Sequence, residues 1–552
     1  MSAFDPKVFC VRPLRQATSA RALQSWQSFR RQEDGVLAVP VILIILLMLM
    51  VGGIGIDLMR YERDRTELQY TLDRAVLAAA DLDQQFHPND VVRDYLEKSG
   101  LGEHYQDPYV DMGQGYRKVE ATVTTPFAAQ YLRLAGDPGL TLKANARAEE
   151  SIDDIEISLV LDVSGSMNSN NRLPNLKVAA KEFVDAIGLN TIEGKMSMSI
   201  VPYATQVSVP DELFAEFNVN EVHSYSNCIN FDASDFDRTD LTIGKEYEQT
   251  LHFSPWYSSD YRASSGLVQL PVCDDRALRE ILPLQQDPQT LKSFIENLRA
   301  GGNTSIDLGM KWGTLLLDDS LQPTVQSLTT GESPFIDPEF ATRPAAYSDT
   351  ETLKIIVLMT DGQNTSQYFI RDQFREAQSG VWYNSQENRY STRDPNTGEY
   401  YWDGLGRWED HPYGNGTYRS CNYYGCSTKD EPGTAEQLSY IDLWARSHMR
   451  FVSDHLYADW MGRSNARNAY YYGAYTSVGH SSKNTRTANI CDAAKDEGIV
   501  VYTIGFEAPE SGQAVLRDCA SSDAHFFDVE GLEISDAFAS IATSIRQLRL
   551  TQ

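Results

Sequence analysis

Ile155-Glu156-Ile157-Ser158-Leu159-Val160-Leu161-Asp162-Val163-Ser164-Gly165-Ser166 decides how this chain is read. The run from Ile155 to Leu161 is almost continuously apolar, as a strand covered on both faces requires. Small polar residues take over abruptly at Asp162. Leu173, Leu176, Ala180, Phe183 and Ile187 then keep a helical spacing. A strand, a tight turn and an amphipathic helix in that order form the repeating unit of a doubly wound α/β sheet.

The same grammar extends along the chain. Met196 to Tyr203 reads as a second strand, Ile355 to Met359 is wholly apolar, and Gly498 to Phe506 repeats that character. A final helix shows Ile534, Phe538, Ile541, Ile545 and Leu548 on one stripe. Residues 151–552 are therefore predicted to form a doubly wound, Rossmann-like sheet. Two long interruptions, at about 208–285 and 364–480, are rich in Tyr, Trp, Asn, Asp, Ser and Gly and belong on loops at the sheet edge. The rings between Trp382 and Tyr424 read as the small core of a disulfide-closed loop domain rather than as a sugar-binding face.

Upstream, residues 57–150 read as a helix followed by a small α+β unit. Leu68, Leu72, Ala75, Ala79 and Leu82 form a stripe expected to pack on that unit, and His87-Pro88 ends the pattern. Strands are predicted over Tyr116–Val123 and Leu140–Ala148, a short helix over Phe127–Leu134, and a turn at Asp137-Pro138-Gly139.

Gly35 to Ile56 is 22 residues without a charge, enough for a helix to cross a bilayer, and Pro40 falls in its first turns. The run is too long for a signal-peptide core and no small-residue cleavage site follows, so it is read as an uncleaved anchor. Residues 1–34 carry six basic and three acidic side chains, whereas Arg60, Arg63 and Arg65 follow the span closely. The basic excess places the N-terminal head in the cytoplasm and the large C-terminal body outside it.

Net charge is −29, and the head's +3 leaves −32 on the rest. So acidic a body argues against nucleic-acid binding. Cys10 precedes the span, and Cys228, Cys273, Cys421, Cys426, Cys491 and Cys519 all follow it. An even number on one side fits an oxidising compartment with up to three disulfides, the connectivity open and sequence-near pairs the simplest.

Asp162, Ser164 and Ser166 place three oxygen side chains at alternate positions of one turn. Hard oxygen donors suit Mg²⁺, or Mn²⁺ or Ca²⁺, and a strand's carboxyl end is where open α/β sheets bind ligands. Gly301-Gly302-Asn303-Thr304 opens a helix with Gly309 five residues past Thr304, and Thr360-Asp361-Gly362 ends the most apolar strand. The histidines lack metal-ligand spacing, Gly194-Lys195 is no phosphate loop, and Ser166 is outside any G-x-S-x-G elbow, so no enzyme is expected.

Together the three motifs resemble the metal-ion-dependent adhesion site of von Willebrand factor A domains, with Asp162, Ser164, Ser166, Thr304 and Asp361 at the matching positions. The resemblance implies that Ser164 and Ser166 are direct ligands, Thr304 a direct or water-mediated one, and Asp162 and Asp361 the source of charge. It leaves one coordination position for a partner's carboxylate.

A second resemblance covers most of the chain. Phe29-Arg30-Arg31, Asp34-Gly35, Gly55-Ile56-Asp57, Leu68-Gln69, Leu72-Asp73-Arg74-Ala75 and Ala78-Ala79-Ala80 look like the anchor of TadG-like proteins of the Tad (Flp) pilus system. Asn303-Thr304, Trp312-Gly313, Cys491-Asp492, Tyr502-Thr503-Ile504, Cys519-Ala520 and Leu548-Arg549-Leu550 match further on. This family implies a Cys491–Cys519 pair and a role in building or anchoring an adhesive pilus. Two departures stand out. Arg74 falls where the family favours Ala, and Pro40 stands where a prepilin-peptidase site would need Glu, so no pilin-type cleavage is expected.

The expectation is a single-pass protein of a bacterial inner membrane. Its periplasmic or surface-exposed body would bind, through a divalent metal, a pilus or outer-membrane protein offering an Asp or Glu carboxylate. The alternatives are a structural tether whose metal only stabilises the fold, and a regulatory subunit of an ATP-driven machine, which would need a cytoplasmic body.

Overall fold

The computed structural model describes residues 37–549, apart from 82–83, 85, 114–115, 137–138, 152–153, 189–193, 263–265, 275–278 and 350. The basic head with Cys10, the first residues of the span, Leu82, the Asp137-Pro138 turn and Leu550 lie outside the described residues. The chain divides into two compact units between Glu150 and Ser151.

In the first unit, α1 (Ala38–Ala80) continues the apolar run as one 43-residue helix. Among the described residues it is the one helix long and apolar enough to cross a membrane. Its first half exposes side chains such as Leu43 (58%) and Leu49 (66%), whereas Leu68, Leu72, Ala75 and Ala79 are buried. These four pack with Val91, Val92 and Leu96 of α2 (Pro88–Lys98) and with Val119, Ala121 and Val123. The helix stops at Ala80, ahead of His87-Pro88. Pro88 instead starts α2, where a missing N–H costs nothing, and the His87 ring accepts from the Asn89 N–H.

A three-stranded sheet in the order β1-β2-β3 completes the unit, from β1 (Tyr109–Gly113), β2 (Tyr116–Pro126) and β3 (Thr141–Ser151), with β1 and β2 antiparallel. The strand at 109–113 was not anticipated. Nor is 127–134 one helix, for the Phe127 N–H donates to Leu140 O at 2.9 Å instead of starting a helical turn. Only Leu132–Ala135 turns, as a 3₁₀ helix.

The second unit is built on a six-stranded sheet. Its elements are β4 (Asp154–Asp162), α3 (Arg172–Gly188), β5 (Met196–Tyr203), β6 (Leu282–Gln285), α4 (Pro288–Asn297), α5 (Ile306–Leu315), β7 (Thr352–Thr360), α6 (His480–Asp496), β8 (Val500–Phe506), α7 (Glu510–Cys519), β9 (Phe526–Val529) and α8 (Glu533–Arg549). The strand order is β9-β8-β7-β4-β5-β6. All pairs are parallel except β5 with β6. Alternate residues of β4 face opposite cores: Ile157, Leu159 and Leu161 meet α3, α4 and α8, whereas Val160 meets α5, α6 and α7. Burial on both faces explains the unbroken apolar runs.

Residues 282–285 thus belong to the main sheet and not to the first interruption. Leu282-Pro283-Leu284-Gln285 is too short and proline-broken to announce a strand, and antiparallel pairing with β5 recruits it. The two interruptions share one core, in which Leu251, Phe253 and Val272 of the first pack with Val381, Leu443, Trp444 and Tyr457 of the second. Tyr390, Tyr401 and Trp402 are buried, as expected of a small core. The disulfide does not close that core. Cys421–Cys426 staples an exposed hairpin, Thr417–Asn422 with Gly425–Asp430, that carries Tyr423 and Tyr424 at its tip. The other bonds are Cys228–Cys273 and Cys491–Cys519.

Candidate metal centre

β4 and β7 run side by side, with Leu161 opposite Met359. Between them the strand order reverses: β5 and β6 continue from β4 on one side, and β7, β8 and β9 build outward on the other. The chain ends of such a pair diverge and leave a crevice at their carboxyl edge. Asp162 ends β4 and Asp361 follows β7 at that crevice.

Each acidic side chain is aimed by hydrogen bonds. Asp162 Oδ1 accepts from the Ser164 N–H at 2.7 Å, and Oδ2 accepts from Thr360 Oγ1 at 2.6 Å. Asp361 Oδ1 accepts from Ser166 Oγ at 2.7 Å. Ser166 Oγ in turn lies 3.0 Å from Ser164 Oγ. Asp162, Ser164, Thr304 and Asp361 are buried, and Ser166 is exposed at the mouth.

Thr304 arrives on a separate loop that is laced to the first. The Gly165 N–H donates to Gly302 O at 2.9 Å, and the Gly301 N–H donates to Val163 O at 2.9 Å. Gly302 has φ +85°, and a β-carbon there would stand 2.7 Å from Thr205 Oγ1, so only glycine fits. Thr304 Oγ1 and Ser166 Oγ both lie within 4.0 Å of the point where a Gly362 β-carbon would stand. The five side chains singled out in the sequence thus gather at one place.

Several residues of this neighbourhood were not among those the sequence singled out. Arg172, on the first turn of α3, donates from Nη1 to Asp361 Oδ2 and from Nε to Glu507 Oε2, each at 2.9 Å. Asn364 Oδ1 accepts the Ile306 N–H at 2.8 Å and so caps α5 from another segment. Lys483 is fully buried and donates from Nζ to Thr304 O and Thr365 O, both at 2.9 Å, with Asp307 Oδ1 at 3.6 Å. Asn364 was within reach of inspection, three residues past Asp361. Lys483 lies 179 residues from Thr304, and no local pattern marks it.

Burial, with Asp361 as a charged neighbour, pushes the Asp162 carboxyl up to about 7. Burial also raises Asp361, against the pull of Ser166 and Arg172. Two crowded, desolvated carboxylates beside three hydroxyls form a hard-oxygen donor set with charge to be neutralised, which fits a divalent cation. Among the described residues no group of three or more His, Cys, Asp or Glu is placed to hold a metal, so hydroxyls would have to supply the remaining protein ligands.

The vWF domain of the type V pili tip protein Mfa5 from Porphyromonas gingivalis aligns with TM-score 0.30 and 14% identity, over 73% of this chain and 97% of its own. The pilus adhesin SpaC from Lactobacillus rhamnosus GG aligns with TM-score 0.29 and 10% identity, over 80% of this chain and 33% of its own. The adhesive tip pilin GBS104 from Group B Streptococcus agalactiae aligns with TM-score 0.26 and 12% identity, over 71% of this chain and 100% of its own. No curated protein matches the chain. Residues 35–82 match the family model described as putative Flp pilus-assembly TadE/G-like.

Proposed function

We propose that this is a membrane-anchored pilus-assembly or adhesion protein that grips a protein partner through a divalent cation held on a von Willebrand factor A domain, residues 151–552. The observation that carries the reading is the gathering of Asp162, Ser164, Ser166, Thr304 and Asp361 at the reversal of the strand order. Ser164 and Ser166 would be direct ligands of Mg²⁺, or of Mn²⁺ or Ca²⁺, and Thr304 a direct or water-mediated one. Asp162 and Asp361 supply negative charge. Exposure of Ser166 leaves the mouth open to a carboxylate of the partner. The cation would supply Lewis acidity toward that carboxylate, and no bond is made or broken. The TadE/G-like segment ties the proposal to pilus assembly, with α1 as a single inner-membrane anchor, the N-terminus inside and the body periplasmic or at the surface.

The test is capture from extracts of pilus-producing cells by the full chain in detergent. It is run as wild type and as Asp162→Ala, with Mg²⁺ or with chelator. The expected result is a pilus or outer-membrane protein retained only by wild type with Mg²⁺. The same catch in all four conditions sinks metal-bridged recognition and leaves a tether whose contacts lie elsewhere.

A further inference from the structure

We propose that residues 127–135 form an interfacial element lying in the headgroup region of the bilayer crossed by α1, an inference that rests on reading 35–56 as a membrane span. Two contacts one helical turn apart set its depth. A β-carbon on Gly53 would stand 2.7 Å from Cγ and Cδ1 of Tyr131, so the ring lies against bare helix backbone. Gly52 and Gly55, on other faces of the same turn, have nothing within 4 Å. Four residues on, the Asp57 carboxylate is fully buried and accepts the N–H groups of Gln130, Tyr131 and Leu132 at 3.1, 2.6 and 2.8 Å.

Gly53 precedes the end of the apolar run at Ile56 by three residues, or about 4.5 Å of helix rise. The Tyr131 ring therefore sits level with the last turn inside the span. Peptide groups one turn further out, at the boundary of the span, have less water to bond than at an open surface and gain from an internal partner. Asp57 is that partner for three of them, which explains a carboxylate at the very end of an apolar run. The segment Phe127-Ala128-Ala129-Gln130-Tyr131-Leu132-Arg133 suits the boundary, with apolar and aromatic bodies and few charges. Phe127 is buried edge-on against Tyr61 at 5.4 Å, with Arg60 over its ring at 6.0 Å, while Tyr131 stays 39% exposed. A half-exposed tyrosine at this level matches the aromatic belt of membrane proteins. Acidic Glu62, Asp64 and Glu67 are interspersed with Arg60, Arg63 and Arg65, so anchoring by ring and backbone, rather than by net positive charge, is the expected mode.

The test uses the full chain in Cys10→Ser background with a single added thiol, Gln130→Cys or Leu46→Cys, carrying an environment-sensitive NBD fluorophore. The protein is reconstituted into phosphatidylcholine vesicles with or without lipids brominated just below the headgroup or deep in the chains. Gln130 is exposed, and Leu46 is exposed in mid-span, so neither label disturbs packing. Roughly twofold quenching at 130 by the shallow-brominated lipid is expected, lost when Gly53→Val displaces Tyr131. Quenching at 46 by the deep-brominated lipid with none at 130 overturns the interfacial element and leaves the span intact. No quenching at 46 overturns the span itself, and the inference with it.

Discussion

Asp162 and Asp361 hold charge where charge is expensive. Each is buried, each has its pKa raised by that burial, and Arg172 neutralises only Asp361. A raised carboxylate pKa means that the folded chain holds its proton more tightly than the unfolded chain. Without metal, that contribution to stability is full below 3.8 and is lost as pH rises through about 7. A divalent cation binds the deprotonated form, so its affinity should fall by up to about tenfold per pH unit below that value. Melting of the wild type with and without Mg²⁺ should therefore show a larger metal-induced rise in Tm at pH 8 than at pH 5.5, and Asp162→Ala should show none at either pH. Equal rises at both pH values would place the cation elsewhere. All five proposed site residues were legible in the sequence because four of them end or follow apolar strands and Thr304 follows a glycine pair at the start of a helix, where spacing alone reports geometry. Arg172 was not, since an arginine opening an amphipathic helix reads as a solvated charge until the fold brings Asp361 to it.

Among the elements, α5 shows how the Thr304 loop is held. Gly309 and Gly313 let it lie close on the sheet: β-carbons there would stand 2.6 Å from the Tyr203 ring and 2.5 Å from Val160 Cγ2. This is why a glycine five residues past Thr304 belongs to the pattern. Its N-terminus is capped by Asn364, and Lys483 of α6 reaches beneath it to Thr304 O. Burial pushes Lys483 down to about 8, while Asp307 opposes that fall. Lys483→Met should leave Asp307 buried without its ion-pair partner, Arg486 acting only as a neighbouring charge, and cost about 3–5 kcal/mol. Denaturant melts measure that loss, and Asp307→Leu added to Lys483→Met should recover a large part of it. A single variant as stable as the wild type would show that Lys483 carries no structural charge. The apolar strands β4, β7 and β8 could be read because two-sided burial leaves no alternative composition. The 127–134 segment differs from its helical spacing because the Phe127 N–H is claimed by Leu140 and the N–H groups of Gln130, Tyr131 and Leu132 by Asp57.

For the molecule as a whole, the sequence could separate the apolar anchor, the small unit and the large sheet, because each has its own periodicity. It could not show that the two interruptions, divided by β6, α4, α5 and β7, build one core, since contact between distant insertions leaves no period. The disulfides divide along the same line. Cys491–Cys519 joins α6 to α7 under the main sheet, and both sulfurs are buried. It closes a loop with a sequence separation of 28, and its removal should cost about 3–4 kcal/mol of global stability. Cys421–Cys426 spans a separation of only 5 in an exposed hairpin, which can open without unfolding anything behind it. Calorimetry of the paired variants should therefore differ: Cys491→Ser with Cys519→Ser lowers the Tm of the large unit, while Cys421→Ser with Cys426→Ser leaves it close to wild type and speeds proteolysis at the hairpin. The same bonds test the compartment. A periplasmic or surface body should keep all six outer cysteines unreactive to maleimide until reductant is added. Six reactive thiols in the unreduced protein from its native cell would place the body in the cytoplasm and favour the regulatory-subunit reading instead.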